Sequence, residues 1–325
     1  MAADLKLVLI GAGWIGSYHL AALGRLGRTR LVGVASARLE RAEEVAFPHG
    51  AVASADPERI LDQLRPDVAW LCVPPGAAPP LAESLVRRGI PFLAEKPLAA
   101  SDAAAPRRVA SFIAERRLVV AVGYHLRGLE GLPELRERLV GRPAQTVAGR
   151  WLDSTPAPAW WRRVDRGGGQ VVEQATHLYD LGRHLVGEAT VVGAVSVRDD
   201  PPVPADADVA DATAAILRYQ TGAIGTFVNS RRSETRSIGL ELVGDGLRAV
   251  VGKAGDEPGD WAITIADGRS TRTLAAGRDP YEIQAERFLD AVEAGDPDAV
   301  LSSYGDAVRT DELTRAVVAA TGERG

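Results

Sequence analysis

The chain has 325 residues, more than one hydrophobic core usually organises, so two domains are expected. Apolar residues make up 46% and charged residues 25%, a balance that excludes a disordered or collagen-like chain. The net charge is -5 without a long Lys/Arg run, and no apolar stretch approaches the roughly 20 residues of a membrane span, so neither nucleic acid nor membrane is an expected partner.

From Leu5 to about Gly123, short apolar runs alternate with helical stretches, the pattern of βαβ units on a parallel sheet. Strands are predicted at 5–10, 31–35, 68–73, 91–94 and 118–123, with helices around 15–25, 39–46, 78–88 and 102–116. Their apolar runs are continuous, as strands buried on both faces require, and a parallel sheet of about six strands follows. The apolar run from Leu5 is too short, and lacks the basic flank, for a signal peptide. With Cys72 as the only cysteine, an intrachain disulfide and a cysteine zinc site are excluded, and a cytoplasmic location is expected.

After Gly123 the pattern changes. Turn signals at 220–222, 244–246 and 267–268 join strand-like runs at 212–219 and 223–229, 238–243 and 247–252, and 261–266 and 270–274, which predicts an antiparallel meander. Helices are predicted at 170–186, 281–294 and 303–320. The predicted class is therefore α/β: a doubly wound parallel domain over 1–123, then an α+β domain over 124–325 built on a large, mostly antiparallel sheet.

Gly11-Ala12-Gly13-Trp14-Ile15-Gly16 follows the first strand and opens the first helix. There Gly11 allows the tight turn, Gly13 lets backbone approach a pyrophosphate, and Gly16 lets helix and strand pack closely; Trp14 and Ile15 belong to the same turn. The helix N-terminus offers free N–H groups to the phosphates. The second strand ends in Val34-Ala35-Ser36-Ala37-Arg38, with no acid to bind a ribose 2′-hydroxyl. A hydroxyl from Ser36 and a guanidinium from Arg38 suit a 2′-phosphate instead. NADP(H) is the expected cofactor, with NAD(H) as the alternative. Cys72, Val73 and Pro74, ending the fourth strand, are expected to line the same cofactor through packing and backbone contacts.

Two further segments, with this fingerprint, resemble the family of glucose-fructose oxidoreductase, inositol dehydrogenase and MocA. Glu95-Lys96-Pro97 resembles that family's signature with a catalytic lysine, and Glu95 and Lys96 also join the cofactor set. The run from Gly167-Gly168-Gly169 through Glu173 and His177 to Asp180 resembles its glycine triplet and catalytic helix. The Val122–Arg127 junction and the closing helices fit as well, so the resemblance spans nearly the whole chain. It implies a hydride-transferring oxidoreductase. The family more often carries Asp where this chain has Glu173, one methylene longer.

The residues also make chemical sense by spacing. On a helix, Glu173, His177 and Asp180 share a face, so either carboxylate can orient the imidazole as a general base, or Asp180 can contact substrate. Lys96 ends a parallel strand on the edge where such sheets bind ligands, and its ammonium can stabilise a developing alkoxide. Each feature alone has a bland reading: a solvated lysine, a structural His–Asp bond, a turn. A metal rival, Glu173, His177, Asp180 and His184, matches no known ligand spacing, and no metal is expected. His19 and His125 read as structural.

The expected activity is hydride transfer between the nicotinamide and a carbinol or carbonyl carbon of a sugar, cyclitol or related polyol. Lys96, His177 and Glu173 form the catalytic set. Tyr124, Arg127, Trp160, Trp161, Gln174 and Asp180 are the substrate candidates. Trp151, Trp160 and Trp161 fall within eleven positions, which makes a substrate wall one reading of the cluster and interface packing the other. Two alternative functions are glycoside cleavage through transient oxidation and a non-catalytic dinucleotide sensor. A homodimer or homotetramer is expected because the outer face of the second sheet needs cover if it is not polar.

Overall fold

The computed structural model describes residues 4–257, 259–275 and 277–322. Two compact units divide the chain: Met1–His125 with Tyr281–Val308, and Leu126–Pro280 with Arg309–Gly325.

In the first unit, strands β1 (Leu5–Ile10), β2 (Thr29–Ala35), β3 (Val52–Ser54), β4 (Val68–Leu71), β5 (Phe92–Ala94) and β6 (Val120–Val122) form one sheet. All pair in parallel, in the order β3-β2-β1-β4-β5-β6. Helices α1 (Trp14–Leu26), α2 (Leu39–Ala46), α3 (Pro57–Leu64), α4 (Ala78–Arg88) and α5 (Ala105–Arg116) connect successive strands. β4, β5 and β6 are buried along their whole length, the two-sided burial that continuous apolar runs demand. Strand order reverses between β1 and β4, so the crevice at their carboxyl ends is the switch point where open α/β sheets bind ligands. The structure adds β3 and α3 to the elements expected from sequence. Asp56 caps α3, accepting from the Arg59 backbone N–H at 3.1 Å.

The second unit contains α6 (Leu132–Gly141), the short α7 (Val164–Gly167), α8 (Thr176–Val186) and eight strands. These are β7 (Ala144–Ser154), β8 (Ala189–Val197), β9 (Ala212–Tyr219), β10 (Ile224–Ser230), β11 (Arg232–Gly244), β12 (Leu247–Lys253), β13 (Trp261–Ala266) and β14 (Thr271–Ala275). Their order is β14-β13-β12-β11-β7-β10-β9-β8. The sheet is mostly antiparallel but not a simple meander: β7 inserts between β10 and β11, antiparallel to β11 and parallel to β10. α6, β7 and β8 are further additions to the sequence reading. On the inner face, Leu217, Phe227, Leu240 and Val251 pack with Leu178 and Leu181 of α8.

The closing helices are α9 (Pro280–Ala294) and α10 (Tyr304–Ala320). The 1–123 and 124–325 division differs from the compact units mainly here, since Tyr281–Val308 folds with the first unit. Burial explains it: Ala285, Phe288 and Leu289 of α9 join the core of Leu7, Leu9 and Trp70. Gln284 also donates its Nε2–H to the Val122 carbonyl at 2.9 Å. Among the described residues no helix is long and apolar enough to cross a membrane.

Candidate active site

In the first unit the predicted cofactor residues gather at the carboxyl edge of the sheet. Gly11 takes φ +107°, and a Cβ there would lie 2.1 Å from the Cys72 carbonyl oxygen. β1 and β4 thus close on each other at the switch point in a way only glycine permits. A Cβ on Gly16 would come within 2.3 Å of the Gly11 oxygen, whereas one on Gly13 would meet nothing within 4 Å. Gly13 is the N-cap of α1, with no side-chain cap and no acid in the first turn. An open backbone surface at an uncapped helix N-terminus suits a pyrophosphate, so these residues fit the cofactor the fingerprint implies.

Ile15 is half-buried and packs against the core of β1 and β2. Trp14 is 67% exposed, its ring 5.7 Å from that of Tyr18. Ser36 donates its backbone N–H to Ser54 at 3.1 Å, and exposed Arg38 is the N-cap of α2. Val73 is half-buried and Pro74 exposed, just past β4. Cys72 is buried, and that burial, with the charge of Glu95, pushes its thiol well above the usual range. It is a packing residue with no thiolate chemistry.

Glu95 and Lys96 follow β5. Glu95 turns inward: its Oε1 lies 2.8 Å from Nε2 of fully buried His19, and its Oε2 accepts from the Lys96 backbone N–H at 3.2 Å. Gly123 leaves room for this carboxylate, since a Cβ there would fall 2.6 Å from Oε1. The His19–Glu95 pair therefore anchors the turn that carries half-buried Lys96. His19 and His125 both pack their rings on Tyr281, at 5.3 and 4.1 Å between centroids. Tyr124 is buried at 1% exposure in the core of this unit. With no accessible ring face it is a core residue and not a sugar platform.

In the second unit, Gly168 and Gly169 both take φ +78° and lead from α7 into a π-helical turn, Val171–Ala175, that continues as α8. Such turns are rare and concentrate at functional sites. Glu173 and Gln174 stand on the π turn and His177 in the first turn of α8, so their spacing is not that of the uninterrupted α-helix the sequence predicts. His177 is buried and stacks on Trp151, centroids 5.9 Å apart. Trp161 is buried at 1% exposure, and its indole N–H donates to Glu173 Oε2 at 2.7 Å.

The Trp cluster thus divides. Trp161 holds the acid and lies too deep to be a substrate wall, Trp151 backs the histidine, and Trp160 is half-buried. Asp180 is buried and accepts from Arg127 Nε at 2.7 Å and Nη2 at 2.6 Å, and from the Thr310 hydroxyl at 3.0 Å. Arg127 and Asp180 are committed to each other, a structural pair and not an open substrate contact. Among the described residues no three His, Cys, Asp or Glu side chains gather as metal ligands. Sequence reasoning missed the Trp161–Glu173 bond and the His19–Glu95 pair, because neither separation in sequence signals contact.

Residues 5–124 match the oxidoreductase family GFO/IDH/MocA, NAD-binding Rossmann fold, and residues 135–250 match the GFO/IDH/MocA C-terminal domain. The chain belongs to the GFO/IDH/MocA oxidoreductase family. It is 29% identical to inositol 2-dehydrogenase 4 of Saccharopolyspora erythraea over 308 residues, covering 90% of this chain and 86% of that protein. It is also 30% identical to a myo-inositol dehydrogenase of Streptomyces leeuwenhoekii, over 70% of each chain. A 3-ketoreductase of Actinomadura kijaniata, solved with NADP and TDP-benzene, superposes with a TM-score of 0.85 at 18% identity over 98% of both chains. That likeness shows the fold.

Proposed function

We propose that this GFO/IDH/MocA oxidoreductase is an NADP(H)-dependent dehydrogenase or reductase of a sugar, cyclitol or related polyol, working in the cytoplasm. The observation that carries the reading is the acid–histidine turn: Glu173, fixed by Trp161, precedes His177, stacked on Trp151, on a π-to-α transition. The relatives named as inositol dehydrogenases support the substrate class.

Gly11, Gly13, Gly16 and the α1 N-terminus would hold the pyrophosphate. A bound nicotinamide supplies the hydride acceptor or donor. His177 takes the hydroxyl proton on oxidation and returns it on reduction, with Glu173 orienting it. Lys96 offsets negative charge developing on the substrate oxygen. Half-buried Trp160 and Gln174 are the remaining substrate contacts.

Ser36 and exposed Arg38 favour the 2′-phosphate, and among the described residues Arg38 has no ion-pair partner to compete. Initial rates with NADP+ and NAD+ across myo-inositol, D-glucose, D-galactose and levoglucosan test the reading. The expected result is turnover with kcat/KM about tenfold or more higher for NADP+. Equal or NAD-favouring ratios remove the NADP assignment, and release of free sugar without net cofactor reduction points to glycoside cleavage instead.

The outer sheet face supports self-association. Val195 of β8, Ala214 of β9 and Val228 of β10 lie opposite one another, with Val192, Val197, Ile216 and Ile224 exposed on the same three strands. A second copy covering this face gives at least a homodimer. Light scattering on the purified protein and on Val195→Lys reads it directly, with the substitution expected to dissociate the assembly.

A further inference from the structure

Three carboxamides link the sheet of the second unit to the turn that carries Glu173. Asn229 of β10 donates Nδ2–H to Gln170 Oε1 at 3.0 Å. Gln170 Nε2 donates to Gln174 Oε1 at 3.1 Å and to the Ser230 carbonyl at 3.0 Å. Asn229 and Gln170 are buried at 2% and 3% exposure, and Gln174 is half-buried.

An amide's oxygen and nitrogen are assigned from their hydrogen-bond partners, and here a single backbone atom assigns all three. The Ser230 carbonyl can only accept, so the end of Gln170 that faces it is the NH2. That nitrogen also reaches Gln174, whose facing atom must be its oxygen. The other end of Gln170 is then its oxygen, and Asn229 must face it with NH2. Rotating any one amide by 180° sets donor against donor or acceptor against acceptor. The chain Asn229, Gln170, Gln174 therefore has one direction: it leaves the buried Asn229 Oδ1 over at one end and the NH2 of Gln174 at the other. Among the described residues, no protein acceptor takes that NH2.

We infer that Asn229 and Gln170 are positioning residues that hold Gln174 as a donor-only contact for a substrate oxygen, next to the catalytic acid. The inference rests on the polyol reading above and adds a selection rule. At the position facing Gln174, a hydroxyl or carbonyl oxygen is accepted. A deoxy carbon, which has nothing to accept with, is refused, and so is an ammonium, which can only donate. A freely rotating Gln would tolerate both kinds of partner, so the direction of the relay, and not the presence of glutamine, supplies the discrimination.

The test compares wild type with Gln174→Met, Gln174→Glu and Gln170→Met, using NADP+ or NAD+ and whichever of myo-inositol, D-glucose, D-galactose or levoglucosan wild type oxidises best. Gln174→Met and Gln174→Glu, at a half-buried position, are expected to raise KM about tenfold with kcat within about threefold. Gln170→Met leaves Gln174 in place but frees its amide, and is expected to raise KM about threefold to tenfold. Cofactor affinity, read by quenching of protein fluorescence, is expected to be unchanged in all three. Unaltered KM in Gln174→Met overturns the contact. Unaltered KM in a folded Gln170→Met overturns the positioning role. If Gln170→Met does not fold, the two Gln174 variants decide: a raised KM supports the contact and an unaltered one overturns it. Failure of wild type to oxidise any of the four overturns the polyol reading itself, and the inference with it, an outcome distinct from activity with an unchanged KM.

Discussion

The Trp161 indole N–H donates to Glu173 Oε2 at 2.7 Å, from a side chain only 1% exposed. Glutamate has one more rotatable bond than aspartate, and so loses more freedom when a site fixes it. A buried donor on a 3₁₀ turn, Ala159–Arg162, restrains that freedom. Trp161→Phe keeps most of the apolar volume and removes the donor. It is expected to lower kcat about tenfold and stability by about 1–2 kcal/mol, read from initial rates and urea unfolding. An unchanged kcat in the folded variant means that Glu173 needs no such support.

The fingerprint glycines separate folding from binding. A Cβ on Gly13 meets nothing within 4 Å, and its φ of -87° suits any residue. Gly13→Ala should melt within about 2 °C of wild type yet bind NADP+ at least tenfold more weakly, because the methyl occupies the surface the pyrophosphate approaches. Gly11→Ala should lose stability by more than about 2 kcal/mol, since a Cβ 2.1 Å from the Cys72 oxygen forces β1 and β4 apart. Thermal melts with and without NADP+ separate the two effects.

Legibility followed the strength of the local signal. Apolar runs such as Leu7–Ile10 and the adjoining Gly11–Gly16 turn stand out because the strand residues before the turn are all apolar and buried. β3 is three residues long and begins on exposed Val52, too short to show a period. β7 and β8 carry their mixed outer faces to solvent, so Gln145, Thr146 and Arg150 dilute the pattern of β7. α3 was not expected from sequence: its eight residues hold few apolar positions, although Asp56 caps it and Pro57 stands in its first turn. Composition located the Trp cluster, but only the turns around it decide that Trp161 is buried and Trp160 is not. The π turn is invisible in sequence because it is a change of hydrogen-bond register and not of residue type.

Arg127 and Asp180 form a buried bidentate pair, 6% and 1% exposed, extended through Thr310 to Arg183, whose Nη1 donates to the threonine hydroxyl at 2.6 Å. Removing one partner strands a charge in low dielectric. Arg127→Met or Asp180→Leu alone is expected to destabilise by about 3–5 kcal/mol, and the double substitution by less than the sum. A double-mutant cycle in urea measures the coupling. Additive losses would show that the ions act independently.

Cys72 supplies a pH-dependent check on the switch point. Burial and the neighbouring Glu95 charge raise its thiol above the ordinary value, so folding favours the protonated form. Its contribution is fully present below the unfolded thiol's pKa of about 8.5 and declines as pH rises beyond that, because only the unfolded chain then releases the proton. Modification by a disulfide reagent at pH 8 should be at least about a hundredfold slower in the native protein than in denaturant. Cys72→Ala should flatten the loss of stability between pH 8.5 and about 10. A native rate equal to the denatured one would place Cys72 at an open surface.

Lys96 tests the chemistry apart from the scaffold. Its backbone N–H is bound by Glu95, which His19 holds in turn, so the turn survives loss of the Lys96 side chain. Lys96→Ala should therefore fold normally and bind NADP+ within about threefold of wild type. Its kcat should fall about 10²- to 10⁴-fold, because the ammonium that offsets charge on the substrate oxygen is gone. His19→Leu acts differently: it leaves the Glu95 carboxylate without its imidazole partner, lowering stability as well as kcat. The diagnostic is the contrast between a stable, inactive Lys96→Ala and a destabilised, partly active His19→Leu. Full turnover by Lys96→Ala would remove the lysine from the mechanism while leaving the fold assignment intact.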